Sequence, residues 1–81
     1  MTKRLDLHGV KHEDVDRIVE NFVLMNNPPL RIITGNSEKM KKIVVSVLSE
    51  HDFKYYPENY TNFGSLIVID KAINKNDGRN N

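Results

Sequence analysis

The sequence predicts a small α/β domain of the α+β two-layer sandwich type, with element order βαβαββ, a four-stranded mixed sheet and two helices. Three observations lead there. Short apolar or β-branched runs recur at Leu5–Leu7, Leu30–Thr34, Phe53–Tyr56 and Leu66–Ile69, each closed by glycine, proline or polar residues. The stretches between the first three runs repeat their apolar residues at helical spacing instead. The link between the last two runs is too short for a crossover helix, so those strands form an antiparallel hairpin.

The first strand runs from about Lys3 to His8. Leu5 and Leu7 alternate with Asp6 and His8, so an extended backbone puts the leucines on one face and the polar pair on the other. After Gly9, residues Val15, Ile18, Val19 and Phe22 mark one face of an amphipathic helix, with Glu13, Asp14 and Asp16 in its first turns. The cap position, Lys11, carries no capping hydroxyl, but Val10 and Val15 can staple across it. Asn26-Asn27-Pro28-Pro29 ends this helix near Met25.

Leu30 to Thr34 is the second strand, stopped by Gly35. Asn36 and Ser37 are good cap residues for a second helix, whose apolar face is Met40, Ile43, Val44, Val47 and Leu48 and which ends around His51-Asp52. Strand, helix and strand at these lengths imply a right-handed crossover between parallel strands. Phe53 to Tyr56 forms the third strand and Gly64 to Asp70, the most apolar run, the buried fourth. Two helices are too few to cover both faces of a sheet, so both are expected on one. A single domain is expected over residues 1–73, followed by a loose polar tail over 74–81.

Composition narrows the function classes. The 81 residues include no cysteine, which excludes disulfides and thiolate metal sites. No apolar run approaches the ~18 residues of a membrane span, and the first residues lead into no signal-peptide core. The expectation is a cytoplasmic protein without membrane contact, with a monomer as the default. A net charge of +1 makes no case for nucleic acid by itself, so the distribution of charge has to carry that argument. Zinc spacings, a P-loop and GxGxxG are all missing.

Candidate chemistry concentrates at the ends of the first two strands. Ligands of α/β folds bind outside the carboxyl ends of strands, where Asp6 and His8 fall. Histidine exchanges protons near neutrality, with an unperturbed pKa of about 6.5. A carboxylate on the same strand face can fix its tautomer or hold a water. The alternative for this pair is structural, with Asp6 as a helix cap and His8 bonded to a loop carbonyl. In Thr34-Gly35-Asn36-Ser37, Gly35 permits close backbone approach and the following helix start offers free amides to a phosphate. The alternative there is a tight turn capped by Ser37. Lys39 and Lys42 face solvent on the second helix with Lys41 on its flank, and with Lys3, Arg4 and Arg31 they either line a phosphate track or solvate the surface. Tyr55, Tyr56, Tyr60 and Phe63 either stack on unpaired bases or pack the hairpin. His12 and His51 lie near helix ends and have no metal partner by spacing.

Leu5-Asp6-Leu7-His8-Gly9 resembles the LDLHG signature that opens the Smr (small MutS-related) domain, a family of nucleic-acid endonucleases and binding modules. The element order is also the family's. Thr34-Gly35-Asn36-Ser37 stands where the family has His-Gly-x-Gly, and Pro57 followed by Gly64-Ser65 stands where it has a proline and a glycine-rich approach to the last strand. The resemblance covers about Leu5 to Ile69. It implies a nucleic-acid endonuclease, RNA preferred over DNA, with Asp6 and His8 as the catalytic pair. Phosphate would then be held by Thr34, Gly35, Asn36, Ser37 and Lys39, supported by Arg4 and Lys42. A divalent cation is an open requirement. Thr34 replaces the family's second histidine and cannot shuttle protons, so a binding module without cleavage is the second expectation. A protein-interaction domain is the third.

Overall fold

A computed structural model of the chain describes residues 2–58 and 64–71. Its elements are β1 (Lys3–Asp6), α1 (His12–Met25), β2 (Leu30–Ile33), α2 (Glu38–Glu50), β3 (Phe53–Pro57) and β4 (Ser65–Lys71). They form a four-stranded sheet in the order β1-β2-β4-β3. β1 and β2 are parallel, and β4 runs antiparallel to both β2 and β3. The expected order, the mixed sheet and the closing hairpin are all present. The expected tail over 74–81 lies outside the described residues.

Burial follows the strand period. Leu7, Leu30, Ile32, Leu66 and Val68 are buried, and they meet Val15, Val19 and Val23 of α1 and Met40, Val44, Val47 and Leu48 of α2 in one cluster. Leu30 pairs with Val68 and Ile32 with Leu66, so these side chains share one face of the sheet. Both helices therefore cover that face. Val10 also packs against the cluster, as a staple toward Val15 requires.

No helix among the described residues covers the opposite face. Along one register row Arg4 lies beside Arg31, Arg31 beside Ile67 and Ile67 beside Tyr56. The next row toward the carboxyl ends of β1 and β2 is Asp6, Ile33 and Ser65. Ile69 sits at the irregularity in the β3–β4 ladder, where Lys54 pairs with Asp70 and Tyr55 already pairs with Val68. It is exposed there, despite belonging to the most apolar run of the sequence.

Two boundaries differ from expectation in a way that shapes the site. β1 ends at Asp6 rather than His8, because the chain turns at His8-Gly9 with Gly9 at φ 77°. The Leu7 amide still donates to the Ile33 carbonyl at 2.9 Å, and the Val10 amide donates back to Leu7 at 3.0 Å. β2 ends at Ile33, one residue early, and Gly35 at φ 68° turns the chain into α2. Both glycines sit in the left-handed region, which a side chain would make strained.

Candidate functional site

Two loops build the site, one after each parallel strand. Asp6 and Ile33 are register partners at the ends of β1 and β2, so the turns that follow them leave the sheet side by side. Between the turns lies an open cavity of about 510 Å³, lined by Asp6 to Val10 and His12 on one side and Ile33 to Ser37 and Met40 on the other. The structure thus brings together Asp6, His8, Thr34, Gly35, Asn36 and Ser37. Arg4, Lys39 and Lys42 do not line the cavity. Arg4 projects from β1 in the row behind it, Lys39 is exposed in the first turn of α2, and Lys42 is exposed one turn further on.

Asp6 does not hold the His8 ring through the contacts present. Its Oδ1 accepts a hydrogen bond from the His8 backbone amide at 2.9 Å, closing an Asx turn. The carboxylate shapes the loop that presents the imidazole, and its second oxygen has no hydrogen bond among the described residues. His8 itself is exposed at the mouth of the cavity. The pair is therefore neither the helix cap with a carbonyl-bound imidazole nor the tautomer-fixing dyad that the sequence allows.

The second loop is more occupied than its composition suggests. Thr34 is only 6% exposed. Its hydroxyl donates toward the carbonyls of Gly35 at 3.0 Å and Gly64 at 3.3 Å. The Thr34 and Gly35 amides both donate to Gly64 as well, at 2.8 and 3.0 Å. Thr34's one hydroxyl proton and these two amides are thus committed to backbone acceptors, so the expected phosphate contacts from Thr34 and Gly35 are absent as donors. The Gly64 carbonyl, at the start of β4, fastens this loop to the sheet.

What remains for an anion comes from the helix starts. Ser37 Oγ caps α2 by accepting from the Met40 amide at 3.1 Å. The Glu38 and Lys39 amides, in the first turn, have no intrahelical acceptor but neither residue lines the cavity, whereas Asn36 and Ser37 just before them do. α1 also begins at the cavity, since Val10 and His12 line it, and its cap residue Lys11 makes no side-chain cap hydrogen bond. Two helix N-termini therefore border one cavity, each a positive end of a peptide dipole. Glu13, Asp14 and Glu38 in the first turns offset part of this potential.

His12 is the lining residue that sequence reasoning placed only as a helix-end histidine. The signal was its spacing, four residues after His8 across a glycine turn, which a single linear motif does not reveal. With His8 it gives the cavity two imidazoles beside one carboxylate. Among the described residues, no group of three or more His, Cys, Asp or Glu is arranged to hold a metal ion.

The remaining expected site residues fall elsewhere. Arg31 pairs with Glu58 at 2.7 Å, and Ser65 Oγ donates to the other Glu58 oxygen at 2.7 Å. Lys41 pairs with Glu38 at 3.6 Å. Tyr55 is half-buried against the core and Tyr56 is 46% exposed on the open sheet face. Tyr60 and Phe63 lie outside the described residues. Comparison with family models, with curated proteins and with solved structures returns no match for this chain. The likeness to Smr domains therefore rests on the motifs and on the element order. No helix among the described residues is long and apolar enough to cross a membrane.

Proposed function

We propose that this chain is an Smr-like endonuclease that hydrolyses nucleic-acid phosphodiesters, with RNA preferred over DNA. The observation that supports it is the single cavity shared by Asp6, His8 and the start of α2, with α1 beginning at its other wall. Hydrolysis of a phosphodiester needs an anion cradle, a group that takes the proton of the attacking oxygen and one that protonates the leaving oxygen. The backbone of Asn36 and Ser37, on the cavity lining where α2 starts, serves as the cradle, replacing the Thr34 and Gly35 donors. His8, exposed where a strand of nucleic acid can reach it, takes the proton of the attacking water and returns it to the leaving oxygen. Asp6 shapes the turn that carries His8 and offers its free oxygen to a water. A divalent cation, if one takes part, would supply charge neutralisation at the phosphate, and the Asp6 carboxylate is the donor that faces the cavity.

The test is cleavage of end-labelled single-stranded RNA and DNA by the purified protein, with and without EDTA, beside His8→Ala. Loss of at least 100-fold in rate is expected for the variant, the range typical of a general acid–base group (about 10²–10⁴). Equal cleavage by a folded His8→Ala protein rules the proposal out. The occupied hydroxyl of Thr34 and the backbone role of Asp6 favour one second reading, a nucleic-acid-binding module without cleavage. It predicts salt-dependent retention of the oligonucleotide with no product.

A further inference from the structure

We infer that the helix-free face of the sheet is the track along which an unpaired nucleic-acid strand runs into the cavity. The inference rests on the reading of the cavity as a nucleic-acid site and extends it to the form of the substrate. Cavity and face are continuous, because Asp6 and Ile33 line the first and belong to the last register row of the second. Directly behind that row comes the sequence Arg4, Arg31, Ile67, Tyr56, one residue from each strand in sheet order. It spans three interstrand spacings, about 14 Å.

The chemistry of the row changes along its length. Two arginines stand next to each other at the β1 side, which is unfavourable for the free protein and favourable beside phosphates. Glu58 neutralises Arg31 at 2.7 Å, while Arg4 has no ion pair among the described residues. The β3 side presents Tyr56, 46% exposed, next to half-buried Ile67 and the 45% exposed Ile69. An aromatic ring beside aliphatic side chains can take up the face of a base only when that base is unpaired, since a duplex hides its base faces and offers phosphates and groove edges. Arginine at one end and tyrosine at the other thus select single strands over duplexes.

Fluorescence anisotropy with labelled single-stranded RNA, single-stranded DNA and a blunt duplex tests this on the full chain. The panel is Arg4→Ala, Tyr56→Ala, Tyr56→Phe and Arg17→Ala, the last removing an equal charge from an exposed site on α1. Single strands are expected to bind at least tenfold tighter than the duplex, whichever sugar they carry. Tyr56→Ala weakens single-strand binding about tenfold, within the range for loss of one base stack, and Tyr56→Phe restores it. Arg4→Ala lowers the salt slope by about 0.7, as loss of one phosphate contact to a single strand does. Arg17→Ala binds like the parent protein. Equal affinity for duplex, or unchanged binding by both Arg4→Ala and Tyr56→Ala, overturns the inference. So does a concentration-dependent dimer that Tyr56→Ala dissolves, which assigns the face to a second copy of the chain. Cleavage is read separately in the same samples. Face-dependent binding without cleavage retires the nuclease reading alone, and cleavage indifferent to the face variants retires the track alone.

Discussion

At Asp6 one carboxylate is asked to do two things, and the substitutions that separate them are known in advance. Its Oδ1 holds the His8 amide at 2.9 Å, while the other oxygen of this cavity-lining residue has no hydrogen bond among the described residues. Asparagine keeps a carbonyl oxygen for the amide and removes the charge. Asp6→Asn is therefore expected to melt within about 0.5 kcal/mol of the parent, and Asp6→Ala to lose about 1 kcal/mol with the turn bond. If the charge also serves the chemistry, both variants lose cleavage alike, and thermal melts beside initial rates show whether they do. The acid and the imidazole were legible as a site from five residues of sequence. The direction of their bond was not, because alternation along a strand assumes that the strand continues. The chain instead turns at His8-Gly9, which exchanges a side-chain contact for a backbone one. The partners of Thr34 escape the sequence for a related reason. A hydroxyl's partner depends on which backbone carbonyl the fold brings to it, here Gly64, 30 residues away.

Each helix start at the cavity is held by a different device, so their removal has different costs. Ser37 Oγ caps α2 through the Met40 amide, and Ser37→Ala is expected to cost about 1 kcal/mol in a denaturant melt. Gly35 at φ 68° has open space where a Cβ would stand, with nothing within 4 Å. The cost of Gly35→Ala is backbone strain alone, about 1–2 kcal/mol. α1 has no side-chain cap, in keeping with Lys11 at the cap position, and relies on Val10 against the core. Element type and order were readable because apolar periodicity reports which face is buried. Ser37 was readable as a cap because its chemistry is local. Strand ends were less so: β4 begins at Ser65 and runs to Lys71, one residue beyond the apolar run on which it was recognised, since ladder pairing with Phe53 and not hydropathy sets its length.

One layer of side chains between the sheet and two helices forms the buried core, and no helix among the described residues covers the other sheet face. Leu48 is fully buried in that layer, and Leu48→Ala is expected to cost about 2–5 kcal/mol, a large share of the stability of a domain this size. His51, at the end of α2, also pairs with Glu20 of α1 at 2.9 Å. The cavity belongs to the carboxyl edge, where both parallel strands end and both helices begin, an arrangement that follows from the βαβα order alone. Titration of uniformly ¹⁵N-labelled protein with a short single-stranded RNA, followed by amide chemical shifts, measures directly whether that edge is where nucleic acid binds. The account predicts the largest shifts at His8, Gly9, His12 and Asn36 to Lys39, with smaller ones at Arg4 and Tyr56. Shifts confined to the outer faces of α1 and α2, or none at saturating RNA, would contradict it.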